Sequence, residues 1–225
     1  MSADNLTAAD TTAPAALDVL QRIATGRPRP RPGETCDLCG EPVPDEHSHI
    51  ADLRNRSIMC GCRACYLLFT HDGAGAGHLR AVPDRYEEVR DFTLGTGGWD
   101  ALQIPVGVAF FFFNSDAGHI TAFYPGPAGA AESLLRLDAW KAVVDKHPQL
   151  TTLAPDVEAV LVRVGGTRRT DEVEPEAYVV PIDACYELVG LLRMHWRGFD
   201  GGEETDQAID HFFARVRGKA GIAEP

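Results

Sequence analysis

The sequence predicts an α+β protein: a largely antiparallel sheet of about four or five strands, packed with about three helices and preceded by a small zinc-knuckle module. Short apolar runs bounded by turn residues fill the middle of the chain, and segments of helical periodicity follow them. Five of the six cysteines lie between residues 36 and 65. With 225 residues, the chain can bury a sizeable core without disulfides.

The N-terminal 33 residues are predicted to precede the folded part. Residues 1–13 are mostly Ala, Thr, Asp and Ser, residues 14–24 have apolar side chains at helical spacing, and an alternating Arg-Pro run follows. We therefore expect a disordered N-terminus with a short helix and a stiff linker at 1–33. A metal module at 34–70 and an α+β domain at 71–225 complete the predicted organisation.

The cysteine cluster predicts a metal site. Cys36 and Cys39 form one Cys-x-x-Cys pair, and Cys62 and Cys65 form a second. Each pair suits a tight turn that directs two thiolates at one metal, and four thiolates complete a structural zinc site. Iron is the alternative metal, because thiolates also bind iron. Cys60 is a fifth sulfur, and it is the alternative ligand to Cys62.

Two histidines, His47 and His49, lie between the cysteine pairs. A His-x-His pair can bind a second metal or act as a general base. We expect a supporting role instead, by packing or by hydrogen bonds to the zinc thiolates. The segment has a weak likeness to small zinc-bound ββα nucleases. However, the Asn that usually follows the second pair is missing, because Tyr66 and apolar residues stand there.

Several strands are predicted in the α+β domain. The apolar run Ile104–Phe113 contains four consecutive Phe and predicts a central strand with both faces covered, and His119–Tyr124 is the return strand. Val157–Val164 and Ala177–Ile182 are further strands. Val82–Leu94 is an edge strand or a short helix.

Helices are predicted at residues 99–102 (a single turn), 138–146, 184–195 and 203–217 from apolar spacing and end signals. Cys185 lies in the third of these and is expected to be a buried apolar residue.

The Pro- and Gly-rich stretch after Tyr124 is predicted to be a turn that leads into a helix. Such a loop, held by regular elements on both sides, often carries binding residues. Its candidate binding residues are Tyr124, Glu132 and Ser133.

Charge and hydropathy exclude several function classes. The formal charge is −12, which argues against nucleic-acid binding because that requires a basic surface. No apolar stretch approaches the ~20 residues of a transmembrane helix, and the N-terminus lacks the apolar region of a secretory signal. We expect a cytoplasmic protein. The sequence contains no Gly-x-Ser-x-Gly or Walker motif.

A set of ordered motifs across residues 34–217 resembles an uncharacterised actinobacterial protein family of unknown function. These motifs are the two cysteine segments with the His-x-His pair, Ile104–Phe111, Tyr124–Ser133, Val180–Asp183 with Cys185-Tyr186, and His195–Gly198. Gly126 departs from the expected Ser. Such proteins look to be encoded near genes of oxygen-tolerant nickel–iron uptake hydrogenases. The resemblance therefore implies an accessory role in hydrogenase assembly or electron supply, with hydrogenase subunits or maturation factors as partners.

Three functional hypotheses follow. The first is a zinc-stabilised, non-enzymatic accessory or protein-interaction factor, which a closed four-cysteine site favours. The second is a redox protein in which the cysteines hold iron. The third is a degenerate metal-dependent nuclease that uses His47 and His49.

Overall fold

The computed structural model describes residues 34–71, 73–94, 97–126, 128–133, 137–165, 174–197 and 201–222. The helix and linker predicted for residues 1–33 lie outside the described residues. Within them, the protein has an α+β fold with two antiparallel sheets and three helices of seven residues or more. The predicted fold class is therefore confirmed.

A three-stranded sheet follows the first cysteine pair. Its strands are β1 (Ser48–Asp52), β2 (Ser57–Gly61) and β3 (Leu79–Ala81), in the order β2-β1-β3. A short helix, α1 (Arg63–Leu68), begins directly after β2. Because β3 comes after residue 70, this sheet draws strands from both sides of the boundary predicted between the metal module and the domain.

The second sheet has six strands and forms the centre of the protein. They are β4 (Glu87–Glu88), β5 (Val108–Asn114), β6 (His119–Gly126), β7 (Gly129–Ser133), β8 (Glu158–Arg163) and β9 (Glu176–Pro181). The order is β4-β9-β8-β5-β6-β7, and every neighbouring pair is antiparallel. The sequence predicts most of these strands within a few residues.

The remaining helices are α2 (Gly98–Ala101), α3 (Leu137–Lys146), α4 (Ile182–His195) and α5 (Glu203–Ile222), and 3₁₀ turns span Ala74–Gly77 and Pro148–Thr152. Among the described residues, no helix combines the length and apolar character that a membrane crossing requires.

The core has two parts, one on each face of the six-stranded sheet. Alternation along β5 directs Phe110 and Phe112 to the cluster that contains α4 and α5, and Phe111 to the opposite cluster. There the Phe111 ring stacks on Trp140 of α3, with 4.6 Å between the ring centroids. The prediction that both faces of this strand are covered is confirmed.

The prediction of a turn and a helix after Tyr124 is wrong, because this stretch is a β-hairpin. β6 continues to Gly126, and β7 returns from Gly129 with Pro125 opposite Ala130. A proline is tolerated at this position because pairing between β5 and β6 ends before it, so its missing N–H removes no bond to β5. Gly129 has a φ of +121°, which glycine adopts readily.

Candidate metal centre

The four cysteines of the two Cys-x-x-Cys pairs come together in the structure. The sulfur atoms of Cys36, Cys39, Cys62 and Cys65 all lie within 4.8 Å of one another, and those of Cys39 and Cys62 are 3.7 Å apart. A tetrahedral zinc ion with Zn–S bonds of about 2.3 Å separates its sulfur ligands by about 3.8 Å. The cluster therefore fits a four-thiolate metal ion, such as zinc, in both donor chemistry and spacing.

Local structure accounts for the position of the first pair. The Gly40 N–H donates to the Cys36 carbonyl over 2.8 Å, which closes the turn that contains both thiols. Gly40 has a φ of +75°, and glycine adopts this left-handed conformation without a steric penalty. The sequence motif Cys-x-x-Cys-Gly thus corresponds to a tight turn.

The second pair is positioned by the start of a helix. Cys62 is the N-cap residue of α1, and Cys65 lies in its first turn. Because residues three apart on a helix lie on one face, the two sulfurs point to the same side.

Asp37 connects the first turn to β2. Its N–H donates to the Cys60 carbonyl over 2.9 Å, and its Oδ2 accepts the Cys60 N–H over 2.7 Å. Two cysteine pairs separated by more than twenty residues in sequence are thereby held against each other without regular strand pairing.

The thiol pKa values differ widely within the cluster. Desolvation raises the pKa of Cys36. Hydrogen bonds from the backbone N–H groups of Cys62, Cys39 and Leu38 lower it by more, so the resulting pKa is about 6. Hydrogen bonding to the Cys62 sulfur and desolvation raise the pKa of Cys65 to about 12. A bound metal ion would remove this difference, because it deprotonates each thiol that coordinates it.

Cys60 lies outside this group of four. Its sulfur is grouped with ring nitrogens of His47 and His49, and these three potential ligand atoms also lie within 4.8 Å of one another. The geometry thus brings Cys62, rather than Cys60, to the other three cysteines. That these four are the metal ligands stays a prediction.

The two histidines make hydrogen bonds through Nδ1. The ring of His47 donates to the Pro44 carbonyl over 2.9 Å, and the ring of His49 lies 2.6 Å from Asp183 Oδ2. Hydrogen bonding to Asp183 raises the pKa of His49. The supporting role at the zinc thiolates, expected from the sequence, stays a prediction.

The Asp183 contact could not be found from the sequence. Asp183 and His49 are 134 residues apart, and neither residue lies in a motif that connects them. Asp183 is in the first turn of α4, where an acidic residue is favourable with the helix dipole. Because the helix dipole already accounts for an acidic residue at this position, the sequence gives no reason to expect the contact with His49.

The three candidate binding residues near the Pro- and Gly-rich stretch belong to the β6–β7 hairpin. Tyr124 packs against the core cluster that contains Trp140, and Ser133 is buried opposite Ala122. Glu132 is exposed opposite Phe123, on the other face of the hairpin. The structure does not bring all three to one face, and a binding role for them stays a prediction.

The fold and the cysteine cluster define an α+β protein with a candidate four-cysteine metal centre. The chain belongs to DUF5947, a family of unknown function, whose model matches residues 35–220. Neither the search of curated proteins nor the search of solved structures gave a significant match.

Proposed function

We propose that the protein is a zinc-stabilised, non-enzymatic accessory factor that binds another protein. The observation that carries the proposal is the four-cysteine cluster, in which two turns supply four sulfurs at the spacing of a tetrahedral zinc site. Four protein ligands leave no position for a substrate, which is typical of structural zinc.

Zinc has a clear structural task here. The segment that carries Cys36 and Cys39 has a single isolated bridge, between Thr35 and Pro42, as its only regular pairing among the described residues. A metal ion shared with Cys62 and Cys65 attaches this segment to β2 and α1. Metal binding and folding of such a segment are coupled, because the unfolded chain holds no preformed site.

Exposed apolar side chains next to the cysteines support a protein-interaction role. Leu38 lies between the first pair of cysteines and is 39% exposed, while Leu67 and Leu68 follow Cys65 and are 48% and 65% exposed. A contiguous exposed apolar patch is typical of a contact surface, and we expect these three leucines to contribute to one. The formal charge of −12 disfavours a nucleic acid as the partner.

The proposed partner is a nickel–iron uptake hydrogenase subunit or a hydrogenase maturation factor, in the cytoplasm of an actinobacterium. This part of the proposal is supported by the motif resemblance alone. The role would be in hydrogenase assembly or in electron supply.

A pull-down from native cells tests the partner. The tagged full-length protein is expected to retain hydrogenase subunits or maturation factors, and Leu67→Ser with Leu68→Ser is expected to reduce the recovery at least tenfold. Met194→Ser is the matched control, because Met194 is 63% exposed but lies on α4. Absence of hydrogenase proteins from the wild-type pull-down would contradict the proposed partner.

Metal analysis tests the centre itself. The purified protein is expected to be colourless and to contain zinc, and Cys39→Ser is expected to lose the ion of the four-cysteine cluster. Visible absorption from iron–thiolate charge transfer would instead support the redox alternative, in which the same cysteines hold iron.

A further inference from the structure

Three potential metal ligands that the four-cysteine cluster does not use lie on one face of the β1–β2 hairpin. His49 is on β1, and Cys60 is its direct partner on β2. His47 precedes His49 by two residues, so alternation places both rings on the same side. Because directly opposed residues project their side chains to the same face, the Cys60 sulfur joins them.

Both imidazole rings are held so that Nε2 is left for a ligand. The Pro44 carbonyl can only accept a hydrogen bond, so the proton of His47 is on Nδ1. The same Nδ1 lies 3.5 Å from Glu34 Oε2. Asp183 holds Nδ1 of His49 in the same way. A carboxylate or carbonyl on one ring nitrogen is the usual support of a histidine that binds metal through the other nitrogen.

The second observation is a buried nitrogen with no partner. The His47 side chain is only 5% exposed, and its Nε2 has no hydrogen-bond partner within the described residues. Leaving a buried acceptor unsatisfied is unfavourable, and structures rarely tolerate it without a ligand or an ordered water. His47 is one of the three residues whose potential ligand atoms, one from each residue, lie within 4.8 Å of one another.

We propose that His47 Nε2, His49 Nε2 and Cys60 Sγ bind a second divalent metal ion of the zinc type, separate from the four-cysteine centre. Two imidazoles and a thiolate form a donor set that suits zinc and related transition metals. Three protein ligands leave a fourth position for water or an external ligand, which is the pattern of zinc sites that perform chemistry.

The surroundings of this second site are acidic. Asp37 accepts the Cys60 N–H, Glu34 lies beside His47, and Asp183 holds His49. These carboxylates add negative charge near the three ligands, which favours a cation at close range. The second site gives the two histidines a role different from the one expected from the sequence.

Asp183 is a positioning residue for this site. Asp183 orients the His49 ring from the start of α4. A metal ion bound to His49 would thereby be connected to α4 through this hydrogen bond. Loss of such a support typically lowers metal affinity 10- to 100-fold.

Metal stoichiometry of the full chain tests the proposal. After loading with zinc and removal of excess ion, the wild type is expected to hold two ions per chain, and His47→Gln with His49→Gln is expected to hold one. His119→Gln is the matched control and should retain two, because His119 is an exposed histidine whose Nδ1 is hydrogen-bonded to the Ala117 carbonyl. One ion in the wild type, or two in the double variant, would overturn the second site.

Cobalt substitution keeps the test valid if the double variant does not fold. In the wild type, cobalt is expected to give two sets of visible bands, one from a site rich in thiolate and one from a site with a single thiolate. Cys60→Ser should remove only the second set, and imidazole added to the wild type should shift only that set through the open position. Asp183→Asn should lower the affinity of this set 10- to 100-fold. An unchanged spectrum and affinity in Cys60→Ser would exclude the assignment.

Failure of the second site is distinguishable from failure of the proposed function. The histidine variants keep all four cysteines and report on the second ion alone, whereas loss of the four-cysteine ion in Cys39→Ser is expected to unfold the segment that carries both sites.

Discussion

Asp52 determines how the β1–β2 turn responds to acid. Its Oδ1 accepts the N–H groups of Arg54 and Asn55, each over 3.0 Å, and its Oδ2 accepts the Asn55 side-chain amide over 2.7 Å. The backbone N–H of Asn55 is the largest influence on the Asp52 pKa, and together these bonds lower it. The turn that aligns His49 with Cys60 is therefore supported by a charged carboxylate.

The sign of this effect gives a pH prediction. A lowered pKa in the folded state stabilises the protein above about pH 4, the ordinary pKa of Asp, and this contribution is lost as the pH falls through the lower folded value. Asp52→Asn is therefore expected to reduce the melting temperature at pH 6, and the difference from the wild type should shrink by pH 3. Thermal unfolding at both pH values measures it, and a pH-independent difference would contradict the assignment.

Arg85 compensates a buried charge on β8. The Glu158 side chain is only 4% exposed, and it accepts a hydrogen bond from Arg85 over 3.2 Å and from the Ala154 N–H over 2.8 Å. Removing one partner of a buried ion pair leaves the other charge without compensation, which is strongly destabilising.

Arg85→Met is therefore expected to lower the free energy of unfolding by about 2 to 3 kcal/mol, somewhat less than for a fully buried pair because the Ala154 bond remains. Denaturant titration at constant zinc measures the loss. Arg56→Met is the control, since Arg56 and Asp116 form an exposed pair at 3.5 Å and such pairs contribute about 1 kcal/mol or less. Equal losses in the two variants would show that burial of Glu158 does not determine the energy.

At the scale of elements, β5 divides the core between the two faces of the large sheet. Phe111 is fully buried and stacks on Trp140, whereas Phe113, near the end of the same strand, is half-buried. Phe111→Ala is expected to lower the free energy of unfolding by about 3 to 5 kcal/mol, because a cavity replaces the ring. Phe113→Ala is the matched control and should cost less. Similar losses in both variants would contradict the assignment of Phe111 to the core beneath α3.

The elements also show which information the sequence contains. The Phe run, the helical spacing of 203–217 and the two Cys-x-x-Cys pairs each have a local signal, and the corresponding strand, helix and turn are present. The sequence does not predict the β6–β7 hairpin, because proline normally breaks a strand and the tolerance of Pro125 depends on where the pairing with β5 ends. Such pairing is a long-range property without a local signal.

The candidate site likewise combines features with a local sequence signal and features that depend on long-range contacts. The grouping of the four cysteines was predictable from their spacing, because each half is a local turn. The separation of Cys60 from Cys62 depends on β2 ending at Gly61, and the grouping of Cys60 with His49 depends on the register between β1 and β2. The contact of His49 with Asp183 depends on how α4 packs against the small sheet.

At the scale of the whole molecule, the small sheet and the large sheet share part of one core. Ala51 of β1 belongs to the cluster that contains α4 and α5, and Ile58 of β2 packs against it. Apolar contacts therefore stabilise the small sheet on one side, and the proposed metal ion would stabilise it on the other. In the first cysteine turn, residues 36–40, only Cys36 is buried, so apolar contacts contribute little to the stability of this turn.

Removal of zinc is therefore expected to unfold one part of the chain and to leave the rest folded. Structural zinc contributes on the order of 10 kcal/mol in small modules, so Cys36→Ser or Cys65→Ser is expected to remove the four-cysteine ion and to unfold residues 34–70. The six-stranded sheet should stay folded, because all buried residues of its two core clusters except Ala51 lie after residue 70. Hydrogen exchange measures the protection of both regions. Cys185→Ser is the control, since Cys185 is buried in α4 and its substitution should leave the zinc content unchanged.

Full zinc retention by both ligand variants would overturn the ligand assignment. Loss of protection throughout both sheets would show that the boundary predicted at residue 70 does not separate two folding units.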